Sequence, residues 1–159
     1  MADEIEHKFL IKNQQWKEHV HKSTEFKQGY MVSDKNKSVR IRISDNKAWL
    51  NIKSATIGTS RKEFEYEIPL EEGSEILYTL CEKPLIEKIR HLVTYKQHTW
   101  EIDVFSGDNE SLIVAEVELN SIGEHFEKPN WLGQEVTHDI RYYNNSLCKN
   151  PYKNWKQKK

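Results

Sequence analysis

Along one segment of this chain after another, charged residues of one sign recur two positions apart. Side chains at i, i+2 and i+4 of an extended strand share a face, so this spacing builds strands with one ionic side and one apolar side. In Glu4-Ile5-Glu6-His7-Lys8-Phe9, Glu4, Glu6 and Lys8 point one way while Ile5 and Phe9 point the other. Arg40 and Arg42 oppose Val39, Ile41 and Ile43, and Lys53 opposes Leu50 and Ile52. Arg61, Glu63, Glu65 and Glu67 align against Phe64, Tyr66 and Ile68. Lys88 and Arg90 flank Ile89, Glu101 and Asp103 flank Ile102, and Glu116 and Glu118 flank Val117. A face kept only for solubility intersperses its signs. Here like charges stand roughly 6.5–7 Å apart by strand rise, which costs repulsion unless a ligand offsets it. Carboxylate blocks suit a hard divalent cation, and cationic blocks suit an anion with several charged oxygens.

The alternation predicts strands near 3–11, 24–32, 38–44, 47–54, 60–68, 85–94, 98–106 and 111–120. Short helices are expected at Asn13–Val20, Leu70–Glu82 and Thr137–Leu147, the last capped by Thr137 or Asp139. Eight strands with few helices imply a mainly β (α+β) fold, an antiparallel barrel or sandwich rather than βαβ units. If the sheet closes with its charged faces inward, the apolar faces need the helices as cover, and an eight-stranded barrel holds one small ligand. Nine acids would then line the lumen, Glu67 among them, against seven bases. Unpaired ions buried there cost several kcal/mol each, so the interior reads as a binding site.

Composition limits the alternatives. The 159 residues suit one domain, with a solvated or frayed tail over about 149–159. The 24 Lys+Arg against 25 Asp+Glu exclude a generic nucleic-acid coat. No apolar run of about 18 residues predicts a membrane span. The acidic start MADEIEHKF shows no secretory signal, and Cys81 and Cys148 form no disulfide framework, so a reducing cytoplasm is expected. The histidines lack zinc spacing, and neither a Walker A loop nor a Gly-x-Gly-x-x-Gly occurs. An anion would be met by side chains rather than by a backbone cradle. Trp131, after Pro129, is expected to pack the last helix across one end of the barrel.

The ionic segments, in order, resemble the CYTH superfamily, the triphosphate tunnel metalloenzymes. The opening Glu4-Ile5-Glu6-His7-Lys8 has its E-x-E-x-K signature, followed by Gln28-Gly29-Tyr30, Arg40-x-Arg42, Lys53 and Ser60-Arg61-x-Glu63-x-Glu65. Lys88-x-Arg90, Glu101-x-Asp103-x-Phe105, Glu116-x-Glu118 and a closing Trp131–Asn144 pattern complete it, over roughly residues 3–147. The resemblance implies a closed eight-stranded antiparallel tunnel that acts on triphosphates with Mg²⁺ or Mn²⁺, as in the small stand-alone bacterial inorganic triphosphatases. By position, Glu4, Glu6, Glu116 and Glu118 would hold the main metal. Glu63, Glu65, Glu101 and Asp103 would bind a second metal or place the attacking water. Lys8, Arg40, Arg42, Lys53, Lys88 and Arg90 would hold phosphate oxygens, and Arg61 would either touch the outer phosphate or pair with the acids.

The implied catalytic set is Tyr30, Glu63 and Lys88. A phenol ionises near pH 10, so Tyr30 as proton acceptor needs cations that favour the phenolate, the other role being orientation of water or phosphate. The closing helix, carrying Asp139 and Arg141, would plug the tunnel, with Arg141 either a phosphate ligand or half of a structural ion pair. The expected partner is a triphosphate-containing small molecule, with no nucleic acid unless an RNA 5′-triphosphate is the substrate. A monomer or homodimer is expected. Adenylate cyclase, nucleoside or thiamine triphosphatase, and a non-catalytic polyphosphate or nucleotide binder are the competing outcomes.

Overall fold

The structure is a computed structural model that describes residues 2–34, 36–55, 57 and 59–155, with Ala2 and Asp3 as backbone only. Nine strands form: β1 (Ala2–Ile11), β2 (Val20–Ser33), β3 (Lys37–Ser44), β4 (Lys47–Ser54), β5 (Ser60–Ile68), β6 (Ile86–Tyr95), β7 (His98–Phe105), β8 (Ile113–Leu119) and β9 (Leu132–Glu135). Every pairing is antiparallel, in the order β5-β4-β3-β2-β6-β7-β8-β1, and β1 pairs back to β5 to close an eight-stranded barrel. β1 divides its free edge. Its first half meets β5, from Ala2↔Glu63 to Ile5↔Ser60, and its second half meets β9, at Phe9↔Glu135 and Ile11↔Leu132. Between β3 and β4 the chain reverses through Asp45 and Asn46, both at positive φ, the two-residue turn that these short polar side chains tolerate.

Over most of the barrel the alternation sorts the side chains as the sequence leads one to expect, ions inward and apolar residues outward, with apolar residues turned inward at one end. Helix α1 (Leu70–Thr79) covers one outer face, where Leu77 packs with Ile41 and Cys81. Gly73 lets α1 dock closely, since a Cβ there would stand 2.3 Å from that of Ala48. Opposite, Phe9, Trp16, Trp100, Ile102 and Val117 build the largest apolar cluster, covered by residues 126–132. Trp131 belongs there, edge-on to Trp100 at 5.6 Å, and not at a tunnel end as expected.

Three helix expectations are corrected. Residues Gln15–His19 form only a 3₁₀ turn, in which Trp16 alone is buried, and Val20 already starts β2. α1 stops at Thr79. The expected helix over Thr137–Leu147 breaks, because Tyr143 is extended. It divides into a 3₁₀ turn, Ile140–Tyr142, and a short helix α2, Asn144–Lys149. Asp139 caps the 3₁₀ turn, whereas Thr137 accepts from the Lys8 backbone N–H instead.

α2 closes one end of the lumen. Its Leu147 and Cys148 pack onto Tyr30, Ile86, Phe105, Leu112 and Val114, which are the inward residues of β2, β6, β7 and β8 at that end and the segment before β8. Rather than fraying, the tail folds onto this plug through residue 155. Trp155 stacks edge-on with Tyr142 and Tyr152 at 5.1 and 4.9 Å, and the Tyr152 N–H donates to Asn109. The rest of the tail, 156–159, lies outside the described residues.

Candidate active site in the barrel lumen

The register converts the spacing of charges along the chain into a map of charge around the lumen. Strands β7, β8 and β1 bring Glu101, Asp103, Glu116, Glu118, Glu4 and Glu6 onto one arc. Strands β3 and β6 bring Arg40, Arg42, Lys88 and Arg90 onto the opposite arc, with β2 between them. β4 and β5 add Lys53, Arg61, Glu63 and Glu65 where the barrel closes. Ten of the candidate residues thus fall into two opposed groups. Glu65 and Glu118 are exposed at the mouth, and Glu67, expected in the lumen, is exposed there too.

Most of these ions pair with one another, which is how the chain tolerates them inside. Glu4 accepts from Arg61 Nε at 2.7 Å and lies 3.4 Å from Lys53 Nζ. Lys8 bridges Glu116 and Glu6. Asp103 accepts from Lys88 at 2.7 Å and from Arg90 Nε and Nη2 at 2.8 and 3.0 Å. Arg90 also reaches Glu101 at 3.3 Å, and Arg42 bonds Glu65 at 2.8 Å. Among the described residues Arg40 makes no carboxylate pair. A cavity of about 40 Å³, enough for water, lies beside Tyr30, Arg40 and Arg61 and is also lined by Glu4, Glu6 and Lys8.

Protonation follows these contacts. Burial pushes the Glu4 and Asp103 carboxyls up, but the cations around each outweigh it and hold both well below the usual range. For Lys8, Glu116 and Glu6 likewise outweigh burial and hold the ammonium above its ordinary value. The balance reverses elsewhere. Burial brings Lys88 down to about 8 despite Asp103. Burial and Arg40 bring Lys53 down to about 8 as well. Burial, with Arg40 and Arg90 adding to it, lowers Arg42 to about 10. Burial pushes the Tyr30 phenol above its ordinary value although Arg40 and Arg61 pull the other way, so Tyr30 is a neutral phenol here. The cations do not meet the condition that a phenolate base requires.

Excess negative charge gathers at the mouth. Burial and four neighbouring glutamates, Glu4, Glu101, Glu6 and Glu63, push Glu118 up to about 7. Burial, with Glu116 foremost among its neighbours, raises Glu6, and burial raises Glu101. Carboxyls crowded together with raised proton affinity are the donor set that a hard divalent cation would relieve, so the residues fit such an ion. Among the described residues no three such groups stand at coordinating distance, since Lys8 and Arg61 lie between them.

Neutral residues complete the lumen, and charge patterning gave no sign of them. Phe26 carries Arg42, Arg90 and Lys88 around its ring, at 4.8, 5.0 and 6.0 Å from the centroid. Asn51 donates to Glu65 at 2.8 Å, and Asn144 of the plug accepts from Lys88 at 3.2 Å. Their strand parity with Tyr30 and Lys53 was the one available signal for Phe26 and Asn51. Arg141 pairs with Asp139 at 2.6 Å on the surface, as a structural ion pair.

The buried amides Gln28 and Asn51 leave polar atoms unpartnered, as do Arg40 and Arg42 at Nε. Each such group costs roughly 1–3 kcal/mol in the free protein.

Comparison with known proteins agrees with this geometry. The CYTH domain family matches residues 2–152. An inorganic triphosphatase of Acetivibrio thermocellus is 48% identical over 157 residues, covering 99% of this chain and all of that protein. An inorganic triphosphatase of Nitrosomonas europaea is 32% identical over 149 residues, 91% of this chain and 96% of its own. A crystal structure of an inorganic triphosphatase superimposes with a TM-score of 0.67 at 29% identity, covering 93% of this chain and 95% of that one. With a charged closed barrel, the full run of ionic motifs and a match over nearly its whole length, the chain belongs to the CYTH family.

Proposed function

We propose that the protein hydrolyses inorganic triphosphate to pyrophosphate and phosphate with the help of a divalent cation. One observation carries this reading: the lumen is divided into a carboxylate arc on β7, β8 and β1 and a cationic arc on β3 and β6. Phosphoryl transfer asks mainly for positioning and charge neutralisation, and this division offers both. The two inorganic triphosphatases that resemble the whole chain support the same reading.

In this reading Arg40, Arg42, Lys88 and Arg90, with Lys8, Lys53 and Arg61, hold phosphate oxygens. Arginine forks suit two-point contacts with them. Glu4, Glu6, Glu116 and Glu118 would hold Mg²⁺ or Mn²⁺, which supplies charge neutralisation and polarises a phosphoryl oxygen when bound. Glu63, Glu65 and Glu101 remain for a second ion or for orienting water. Asp103, saturated by Lys88 and Arg90, sets the positions of those two cations. Lys88, lowered to about 8, can exchange a proton near neutral pH, and Tyr30 orients water or phosphate as a neutral phenol. The two buried free cysteines suit a reducing cytoplasm, where the protein would act as a monomer or homodimer.

Purified protein is to be given tripolyphosphate, ATP, GTP or thiamine triphosphate with Mg²⁺ or Mn²⁺, and the products identified by mass spectrometry. Equimolar phosphate and pyrophosphate from tripolyphosphate is the expected result. Cyclic AMP from ATP would establish a cyclase, and tight binding without turnover a binding protein. The absence of any metal-dependent phosphate release would overturn the hydrolase reading.

A further inference from the structure

We infer that Gln28 is a substrate-positioning residue, its carboxamide contacting a non-bridging phosphoryl oxygen on the cationic arc of the lumen, an inference that rests on the triphosphate reading above. Gln28 lies on β2 between Phe26 and Tyr30, on the strand face that both rings turn inward. Its cross-strand neighbours are Arg42 on β3 and Ile86 on β6, which places it at the centre of the arc formed by Arg40, Arg42, Lys88 and Arg90. The side chain is 0% exposed, yet neither Nε2 nor Oε1 has a partner. Exchanging the two amide atoms changes nothing, because both ends are unpaired.

Folded chains seldom leave a fully buried carboxamide unpaired at both ends. This one is also not isolated. Seven buried side-chain N or O atoms lack a partner among the described residues, and five of them lie on β2, β3 and β4: Gln28 Nε2 and Oε1, Arg40 Nε, Arg42 Nε and Asn51 Oδ1. The other two are indole nitrogens of Trp16 and Trp100, in the outer apolar cluster.

The kind of atom that is missing identifies the ligand. Three of the five, Gln28 Nε2, Arg40 Nε and Arg42 Nε, are donors, on an arc where Arg40 has no carboxylate partner among the described residues, and the other two, Gln28 Oε1 and Asn51 Oδ1, are acceptors. What the three donors lack is an acceptor-rich, negatively charged group, and a phosphoryl group is one. A neutral amide also explains itself here. A third cation between Arg40 and Arg42 would add to the repulsion that, together with burial, already draws Arg42 down to about 10. The amide adds a donor with no added charge.

Two variants test this, Gln28→Met and Gln28→Glu, each beside the wild type. Gln28→Met keeps the length and removes the unpaired amide, so the free protein should melt at the same temperature or higher. Its KM for tripolyphosphate should rise roughly ten- to a hundred-fold, the worth of one hydrogen bond to a charged group. Gln28→Glu places a carboxylate beside Arg40 and Arg42. It should stay folded and raise KM further.

Tripolyphosphate binding to both variants and the wild type in EDTA, by calorimetry, measures the contact without turnover. If the wild type binds but does not hydrolyse, the hydrolase reading fails while the Gln28 contact is still tested. A Gln28→Met protein that melts lower than the wild type, or either variant binding tripolyphosphate with unchanged affinity, would overturn the inference.

Discussion

Replacing Asp103 with Asn separates the energetics of the lumen from its chemistry. Asp103 is 1% exposed and accepts from Lys88 at 2.7 Å and from Arg90 at 2.8 and 3.0 Å. Asn preserves shape but removes the charge, which leaves two cations in a low-dielectric interior with less to offset them. Breaking a buried pair from one side costs about 3–5 kcal/mol. Lys88 moderates this: burial has already lowered it to about 8, so in the variant it can release its proton, and the lower bound of about 3 kcal/mol is the better figure. Unfolding entropy of about 2.1 cal/mol/K per residue gives roughly 0.33 kcal/mol/K for a chain of this length, so the melting temperature should fall by about 9 °C. Circular dichroism melts of the metal-free protein at pH 7 measure it. Added tripolyphosphate should restore more stability to the variant than it adds to the wild type, because the anion supplies the missing charge. A loss of under about 1 kcal/mol, or no differential rescue, would show that water solvates these cations and that the lumen is not the low-dielectric site described.

Glu118→Gln removes a carboxyl that burial and four neighbouring glutamates crowd, so the melting temperature should hold or rise while metal-dependent phosphate release collapses. Full activity at ordinary Mg²⁺ would take Glu118 out of the metal site. Leu147→Ala empties a fully buried position at the centre of the plug and should cost about 2–5 kcal/mol in a denaturant melt. A loss below about 1 kcal/mol would mean that α2 does not seal that end.

Strands were legible because Arg40-x-Arg42 or Glu116-x-Glu118 can hide an apolar partner only if the backbone alternates. The barrel followed, since like-charged faces are best tolerated around a shared space in which opposite charges or a ligand offset them. Pairing was not legible. That Lys8 meets Glu116, or Asp103 meets both Lys88 and Arg90, depends on register and on which strands are neighbours, and neither is written in spacing. The closing segment failed for a local reason: the extended backbone at Tyr143 breaks a run that reads as one helix, and tertiary packing of Leu147 and Cys148 decides where the chain resumes. β9 is four residues long and owes its existence to the second half of β1, an edge left free where β5 ends. Asn51 was overlooked, and Gln28 stood beside Gly29 and Tyr30 without a role, because an uncharged amide makes no pattern.

The two sides of the lumen then stand in different energetic positions. On β1, β6, β7 and β8 nearly every ion has an internal partner, so that side supports the fold whether or not anything is bound. On β2 and β3 buried donors are left unmet, and on β2 and β4 amide acceptors, which costs stability in the free protein. A sequence under pressure for stability alone would replace such groups with apolar ones of like volume, often at a gain. Their presence side by side, facing an opposed carboxylate arc, is what a site pre-organised for an anion requires, since donors fixed in advance need no reorganisation when the charge arrives. The unmet donors of the arginine side and the crowded carboxyls at the mouth are therefore complementary defects, and a single metal-bound polyanion would relieve both.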